Sequence, residues 1–341
     1  MKLIGIETSC DETAVSVVED GRSILSNVVA TQSEMHSDFG GIVPEVASRQ
    51  HLVTIIPVVN RALAESNLEI NQIDGIGVTY GPGLAGSLLV GVNAAKGLAI
   101  SHDIQLYGVN HLEGHIYASW LGEEDPESDP GFPIMCLIAS GGHTDLILME
   151  GHGQFKLIGR TRDDAAGEAF DKGARVLGLG FPGGPEIQRI SRSGSGEEPS
   201  MPRPRIKGSL DFSFSGLKTA LLRRVEGRRW YSDSDARVPD DLEVAHVASV
   251  YQEAIVDTIV SLTLEAVSSY KVKGVILGGG VAANSLLREE FNKRSPVKVI
   301  VPEPKLCTDN GAMIGSATWF HLRHEASYQW NMDVVPSLRL G

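Results

Sequence analysis

Residues 2–18 read KLIGIETSCDETAVSVV, and residues 134–149 read IMCLIASGGHTDLILM. In both stretches an aliphatic run typical of a β-strand leads into a short turn of small and polar residues, and a second aliphatic run follows. A third strand is predicted after each pair, at residues 23–30 and 155–159. Each half of the chain therefore opens with a predicted three-stranded meander whose first turn is small and polar.

After each meander, helical patterns alternate with short apolar runs typical of buried strands. The first half has predicted strands at 75–79 and 105–109, and predicted helices at 43–66, after Gly83 and from about His111. The second half has predicted strands at 274–277 and 297–301, and predicted helices at 163–177, 184–191, 242–270, 282–292 and from about Asn310. The same order of elements, present twice, predicts a duplicated α/β fold with a cleft between the halves.

The composition bounds the class of protein. With 341 residues, 42% hydrophobic and 21% charged, the chain is neither disordered nor fibrous. No apolar run reaches the length of a bilayer span, and the first residues turn polar too soon for a signal peptide. Three scattered cysteines without a C-x-x-C fit a reducing cytoplasm.

An acidic, proline-containing stretch at 122–133 predicts a boundary between a first domain, 1–130, and a second, 131–341. The last helix of the second domain is a candidate to pack back on the first.

The charge is unevenly distributed. The net charge of −13, taken alone, predicts repulsion from nucleic acid. Residues 192–229, however, carry nine bases and four acids, a net charge of +5, and lie in a predicted insertion at about 191–240. Such a segment is a candidate contact for a phosphate backbone, and the alternative is a solvated helix face with a loop.

The pentapeptide His111-Leu112-Glu113-Gly114-His115 contains two histidines at helical spacing. Side chains at i and i+4 share a helix face, so both imidazoles can reach one cation. The glutamate is third, which fits neither H-E-x-x-H nor H-x-x-E-H, so the general base of a metallopeptidase is missing. Asp309, at the predicted start of the last helix, is the candidate third ligand. The alternative is a pair of helix-face histidines without a metal.

Two predicted turns contain groups that suit phosphate or metal binding. Glycines and hydroxyls at 140–144 can offer successive amides to phosphate oxygens, whereas an ordinary hairpin turn is the alternative. The matching turn at 8–13 contributes Asp11 and Glu12, which could orient a metal or polarise a nucleophile. Paired turns of this kind characterise the fold shared by actin, sugar kinases and Hsp70 chaperones.

Two further segments favour nucleotide binding. Residues 278–284, GGGVAAN, follow a strand and open a helix, a context that suits a nucleotide at a helix N-terminus or a close-packed turn. On a predicted helix, Asp164, Glu168 and Asp171 share one face, where they would repel unless they bind ribose hydroxyls, a cation or arginine; the alternative is a solvated helix face. No G-x-x-x-x-G-K-[ST] occurs, which argues against a P-loop ATPase.

Seven motifs stand out along the chain, at residues 5–13, 40–45, 111–115, 140–144, 163–172, 181–185 and 278–284. Together they resemble the tRNA N6-adenosine threonylcarbamoyltransferase family of the bacterial TsaD type, once called O-sialoglycoprotein endopeptidase. The resemblance implies a duplicated actin/Hsp70-like, ribonuclease H-like fold of two domains with an interdomain cleft. It implies transfer of threonylcarbamoyl from threonylcarbamoyl-AMP to N6 of adenosine 37 in tRNAs that read ANN codons.

The resemblance also implies roles for particular residues. His111, His115 and Asp309 would bind one divalent metal, iron or zinc. The adenylate, or Mg-ATP in its place, would be bound by Ile138, Ala139, Ser140, Gly141, Gly142, Asp171, Gly184 and Asn284. Some members use an aspartate where this chain has Gln188. Implied partners are tRNA, through its anticodon loop, an inactive paralogue of the TsaB type that packs on the first domain, and a small P-loop ATPase of the TsaE type; no membrane is implied.

The implied chemistry agrees with the residues. The donor is an activated mixed anhydride, so no enzyme nucleophile is needed, and no Ser/His/Asp or Cys/His set is evident. A metal and the amides of the glycine turn would stabilise developing charge, and Asp11 is the candidate for a role at the reacting centre. Three other classes stay open: an actin-fold kinase or ATPase, a scaffold with chaperone-like ATPase activity, and, least favoured, a metallopeptidase.

Overall fold

The structure is a computed structural model that describes residues 1–37, 41–122, 130–194, 198–228, 230, 238–324 and 330–341. Gly40, the acidic residues at 123–129, Glu197 and Arg229, all used in the predictions above, lie outside the described residues. The chain divides into two compact units. Unit 1 comprises Met1–Phe132, Met149–Lys156 and Pro302–Gly341, and unit 2 comprises Pro133–Leu148 and Leu157–Val301.

In the described residues, ten strands form two five-stranded sheets with the orders β3-β2-β1-β4-β5 and β10-β9-β6-β7-β8. The strands are β1 (Lys2–Glu7), β2 (Glu12–Glu19), β3 (Ser23–Thr31), β4 (Gly75–Gly81), β5 (Gln105–Asn110), β6 (Ile134–Ala139), β7 (Thr144–Gly151), β8 (Gln154–Arg160), β9 (Gly274–Gly278) and β10 (Lys298–Ile300). Taken from β8, the second sheet repeats the order of the first, so the predicted duplication is confirmed.

The helices alternate with the later strands of each sheet. They are α1 (Ser33–Ser37), α2 (Pro44–Glu65), α3 (Ala85–His102), α4 (His111–Tyr117), α5 (Ala166–Val176), α6 (Gly183–Ser191), α7 (Ser215–Gly227), α8 (Asp241–Tyr270), α9 (Ser285–Arg294), α10 (Pro304–Cys307) and α11 (Gly311–Arg323). Short 3₁₀ turns lie at Ile70–Gln72, Ala118–Trp120 and Gly280–Ala283.

The first sheet is covered on both faces, which explains the continuous apolar sequence of its central strand. β1 is antiparallel to β2 and parallel to β4. Ile4 and Ile6 join the apolar core formed with α2 and α3. Because side chains alternate along a strand, Gly5 faces the other way, where α11 packs on β1. The last helix thus forms part of unit 1.

Three boundaries differ from the predictions. The predicted helix at 163–177 begins at Ala166, because the carboxylate of Asp163 accepts hydrogen bonds from Ser213, Phe214 and Ser215 at the start of α7. The predicted helix at 282–292 begins at Ser285, after a 3₁₀ turn. Residues 149–156 and 302–341, assigned to the second domain by sequence, lie in unit 1.

The expectation that no apolar run reaches the length of a bilayer span is wrong for helix α8, which is long and apolar enough to cross a membrane by length and composition alone. Of its most apolar window, 72% is buried inside the fold. Such burial is typical of the core helix of a soluble protein.

Candidate functional site

Helix α4 carries both histidines of the sequence motif and begins at a capped position. The Oδ1 atom of Asn110 accepts a hydrogen bond from the Leu112 amide at 2.9 Å, which caps the first turn. The helical spacing then places His111 and His115 on one face, with ring centroids 4.7 Å apart. Both imidazoles are buried, at 6% and 1% exposed.

Asp309 lies beside these histidines, although it comes from the C-terminal segment of unit 1, residues 302–341. It immediately precedes Asn310, whose Oδ1 accepts from the Met313 amide at 2.9 Å and so caps α11. Helix α11 packs on α4. The Asp309 Oδ1 atom lies 3.2 Å from His115 Nε2 and 3.7 Å from His111 Nε2. The residues that the sequence proposed as metal ligands are therefore neighbours.

The cluster fits a divalent cation. One ligand atom from each of His111, His115 and Asp309 lies within 4.8 Å of the others, and ligands around a tetrahedral ion bound at about 2 Å are separated by about 3.3 Å. Neither nitrogen of His115 makes a hydrogen bond of good geometry, although Asp309 Oδ1 lies 3.2 Å from Nε2. A buried imidazole in this state is costly unless a further group binds it. Two nitrogens and one carboxylate oxygen suit zinc or iron(II).

The local charge also favours a bound cation. Burial lowers the pKa of His111, but the negative charges of Glu7 and Asp309 outweigh it and raise that pKa to about 9. Burial, followed by the charges of Asp309 and Asp11, raises the pKa of Glu12 to about 10. A divalent cation beside Asp309 would offset this accumulation of carboxylates.

The turn after β1 carries Asp11 and is fastened to two helices. The Nε2 atom of His51, on α2, bonds to the Cys10 carbonyl oxygen at 2.9 Å. The Leu84 amide, at the start of α3, donates to the Ser9 carbonyl oxygen at 2.7 Å. Asp11 is 8% exposed. Burial raises the pKa values of Cys10 and Glu12, and the negative charges of Asp11 and Asp309 both add to this rise. The role of Asp11 at the reacting centre stays a prediction.

In unit 2, Ile138 and Ala139 end β6, and the predicted glycine turn follows. The Ser140 amide donates to the His143 carbonyl oxygen at 2.8 Å, and the Ser140 carbonyl oxygen accepts from the Gly167 amide at 3.0 Å. A Cβ atom built on Gly141 or Gly142 would meet nothing within 4 Å. The Cβ side of these two glycines is therefore open, which leaves room for a ligand to approach the turn there.

Asp171 fixes the start of the neighbouring helix. Its Oδ1 accepts from the Gly183 amide at 2.7 Å, next to Gly184. The prediction of one helix face with three carboxylates is wrong for Asp164, because α5 begins after it, whereas Glu168 and Asp171 lie on α5. Lys172 pairs with two of the three carboxylates, since its Nζ lies 2.6 Å from Asp164 Oδ1 and 2.9 Å from Glu168 Oε1.

Asn284 is already engaged at the start of α9. Its Oδ1 accepts from the Leu287 amide at 3.1 Å, and its Nδ2 donates to Gln252 Oε1 at 2.9 Å. A side-chain amide has two N–H groups and two lone pairs, so one of each makes no further bond within the described residues. Gln188 lies close by in structure, because its Oε1 accepts from the Ser285 amide at 2.7 Å.

The sequence prediction gave no individual role to Glu7, Thr79 or Gln252. Glu7 is fully buried and contacts His111, whereas Gln252 orients Asn284. A usable signal for Glu7 was its place at the end of an aliphatic strand, where a charged residue is seldom buried unless it is paired. Gln252 carries a similar signal, because it is a polar residue in the middle of a long apolar helix.

Comparison with known proteins agrees with this geometry. The family model for tRNA N6-adenosine threonylcarbamoyltransferase (TsaD) matches residues 23–316. A protein of that name from Dehalococcoides mccartyi is 54% identical, with 99% of each chain covered. Another, from Symbiobacterium thermophilum, is 48% identical over 99% of this chain and 97% of its own.

Two solved structures show the fold. Component A of (R)-2-hydroxyglutaryl-CoA dehydratase from Acidaminococcus fermentans is 13% identical, with a TM-score of 0.55 over 95% of this chain and 100% of its own. HypF from T. kodakarensis is 15% identical, with a TM-score of 0.62 over 95% of this chain and 48% of its own. Both have the actin-like fold, which confirms the predicted fold class. By its sequence, this chain belongs to the tRNA N6-adenosine threonylcarbamoyltransferase family.

Proposed function

We propose that this chain transfers the threonylcarbamoyl group from threonylcarbamoyl-AMP to N6 of adenosine 37 in tRNAs that read ANN codons, with release of AMP. The observation that carries the proposal is the buried cluster of His111, His115 and Asp309 in a chain of this family. The cytoplasm is the proposed location, since tRNA is the proposed acceptor.

The donor is a mixed carbamic–phosphoric anhydride, so attack by the adenosine amine breaks the C–O bond to phosphate without an enzyme nucleophile. A zinc or iron(II) ion held by His111, His115 and Asp309 would supply Lewis acidity for the developing negative charge. The amides of Gly141 and Gly142 would bind phosphate oxygens, and Asp11 would orient the reacting groups. The remaining polar groups of Asn284 would contact the adenylate or, in its place, Mg-ATP.

A metallopeptidase is disfavoured by the position of Glu113. This carboxylate is 4% exposed, and its Oε1 lies 2.7 Å from His321 Nε2, so it is paired within the protein. To act as the general base of a peptidase, a carboxylate must lie within reach of the attacking water, and Glu113 is bonded to His321 instead.

Nucleoside mass spectrometry tests the proposed activity. Unmodified tRNA is incubated with this protein, its bacterial partners, ATP, threonine and bicarbonate. We expect threonylcarbamoyl-adenosine in the digest. If no product forms although threonylcarbamoyl-AMP is present, the activity is wrong and an actin-fold kinase becomes the better candidate.

The segment from Arg192 is the proposed tRNA contact, but many of its bases are paired. Arg203 pairs with Asp257 and Arg205 with Glu265. Glu198 lies 2.6 Å from Arg228 and 3.9 Å from Arg224. Within the described residues, the bases of this segment that make no ion pair are Arg192, Lys207, Lys218 and Arg223.

Charge reversal should weaken tRNA binding most at the basic residues that make no ion pair within the described residues, because their charge is free to contact phosphate. We expect Lys218→Glu with Arg223→Glu to weaken binding about 10-fold or more and to flatten its dependence on salt, because each phosphate contact releases counterions. Filter binding at several salt concentrations measures both quantities. Lys273→Glu, an exposed base of unit 2 outside the segment, is the control. Unchanged affinity and slope in the double variant would contradict this contact.

The proposed docking site for a TsaB-type paralogue is the outer face of α2. Leu52, Val53 and Ile56 are 66%, 71% and 49% exposed there, and Leu89 on α3 is 42% exposed. Exposed aliphatic residues on one helix face are typical of a protein interface. A small P-loop ATPase of the TsaE type is the second proposed protein partner.

A charge on this face should block docking without unfolding the chain. We expect Val53→Asp to weaken binding of the paralogue at least about 10-fold, because the aspartate would be desolvated at an apolar interface. Calorimetry with the purified paralogue measures the affinity. Asn60→Asp, on the exposed surface of the same helix, should bind normally. Equal affinity for both variants would exclude this face.

A further inference from the structure

Glu7 is a buried carboxylate whose contacts converge on His111. It ends β1, an otherwise aliphatic strand after Lys2, and is 0% exposed. Its Oε1 accepts from the Ser9 amide at 2.5 Å, and its Oε2 lies 2.6 Å from Thr79 Oγ1 and 3.0 Å from His111 Nδ1. A buried carboxylate is costly unless its oxygens are satisfied, and here each oxygen has a donor.

These contacts determine which nitrogen of His111 carries the proton. A carboxylate only accepts hydrogen bonds, so Nδ1 must be the donor to Glu7. The hydroxyl of Ser9, 3.1 Å from the same nitrogen, can accept as well. The neutral ring is then protonated at Nδ1, which leaves the lone pair on Nε2. That nitrogen is the one 3.7 Å from Asp309 Oδ1.

We propose that Glu7 is a positioning residue that holds His111 in the tautomer whose Nε2 can bind a divalent cation. The inference rests on the metal site of the proposed function and deepens it. Thr79 and the Ser9 amide keep the carboxylate pointed at the ring. A carboxylate–histidine pair of this kind fixes ring orientation and raises the basicity of the metal-binding nitrogen.

Binding of Zn²⁺ and Co²⁺ to the purified chain, with a competing chelator, tests the proposal without any transferase assay. We expect Glu7→Gln to weaken binding about 10- to 100-fold, because an amide N–H pointed at Nδ1 selects the tautomer that is protonated at Nε2. Nitrogen NMR of the metal-free proteins, recorded at a pH well above the His111 pKa of about 9 so that the ring is neutral, should show that change of tautomer between the wild type and the variant. Metal affinity within twofold of the wild type, in a folded variant, would overturn the role of Glu7.

Glu113→Gln is the matched control, because Glu113 is also buried and bonded to a histidine, His321, that is outside the proposed ligand set. We expect its metal affinity to stay within twofold of the wild type, and an equal loss in both variants would overturn the proposal. If Glu7→Gln does not fold, Thr79→Val tests the same role, because it removes the hydroxyl that donates to Glu7 Oε2. A several-fold loss of metal affinity in Thr79→Val supports the role of Glu7, and an unchanged metal affinity contradicts it. Failure of the wild type itself to bind metal would instead refute the underlying metal site.

Discussion

Replacing His111 with alanine is expected to remove the bound divalent cation and the transfer activity together. Loss of an outer hydrogen-bond partner costs about 10- to 100-fold in metal affinity, so loss of a ligand should cost more than about 100-fold. Lewis-acid stabilisation of several kcal/mol corresponds to a rate loss of about 10³-fold or more. Metal content by mass spectrometry and initial rates of threonylcarbamoyl-adenosine formation measure the two effects.

His102→Ala is the control for this variant. His102 is an exposed histidine at the end of α3 in the same unit. We expect it to retain one metal ion per chain and the wild-type rate. A His111→Ala protein that keeps its metal and more than about a tenth of its activity would contradict the metal assignment, because the histidine would then be dispensable.

Replacing Gly5 with alanine is expected to destabilise unit 1 strongly. A Cβ atom at Gly5 would lie 2.1 Å from the Gly311 carbonyl oxygen and 2.4 Å from the Gly315 amide nitrogen. Both are backbone atoms of α11, so no side-chain rotation relieves the overlap. Overpacking usually costs about 1–3 kcal/mol, and a backbone clash should reach or exceed the upper end. Asp309 lies two residues before Gly311, so metal affinity should fall as well.

Gly97→Ala provides the opposite case on α3. No atom lies within 4 Å of a Cβ built there, and alanine in a helix interior is favoured over glycine by about 0.5–1 kcal/mol. Urea denaturation followed by circular dichroism should give a lower midpoint for Gly5→Ala and an equal or higher midpoint for Gly97→Ala. A Gly5→Ala protein as stable as the wild type would show that α11 does not rest on β1 in this way.

Much of the candidate metal site could be predicted from local sequence. The spacing of His111 and His115 predicts a shared helix face, which the capped helix α4 provides. Asp309 is 194 positions from His115, and only its place before a predicted helix suggested it. What brings it close is the packing of α11 on β1 and α4, a long-range contact between small residues that no local pattern specifies.

The features that the sequence did not predict depend on contacts between distant segments. Asp163 lies in a run that favours a helix, but its carboxylate caps α7 some 50 positions later, so α5 starts after it. A count of bases could not show that Glu198 pairs with Arg228. The sequence placed Glu7 only within the 5–13 motif, and its significance depends on His111, 104 positions away.

The most direct test of the transfer activity follows one labelled atom. Threonylcarbamoyl-AMP labelled with ¹³C at the carbamoyl carbon is supplied to the wild-type protein, its partners and a tRNA with adenosine 37, and to the same mixture containing Asp309→Ala. We predict that the label appears on N6 of adenosine 37, with one AMP released per label transferred, and that Asp309→Ala transfers none. Loss of the labelled donor without label on the tRNA, or equal transfer by both proteins, would contradict the account.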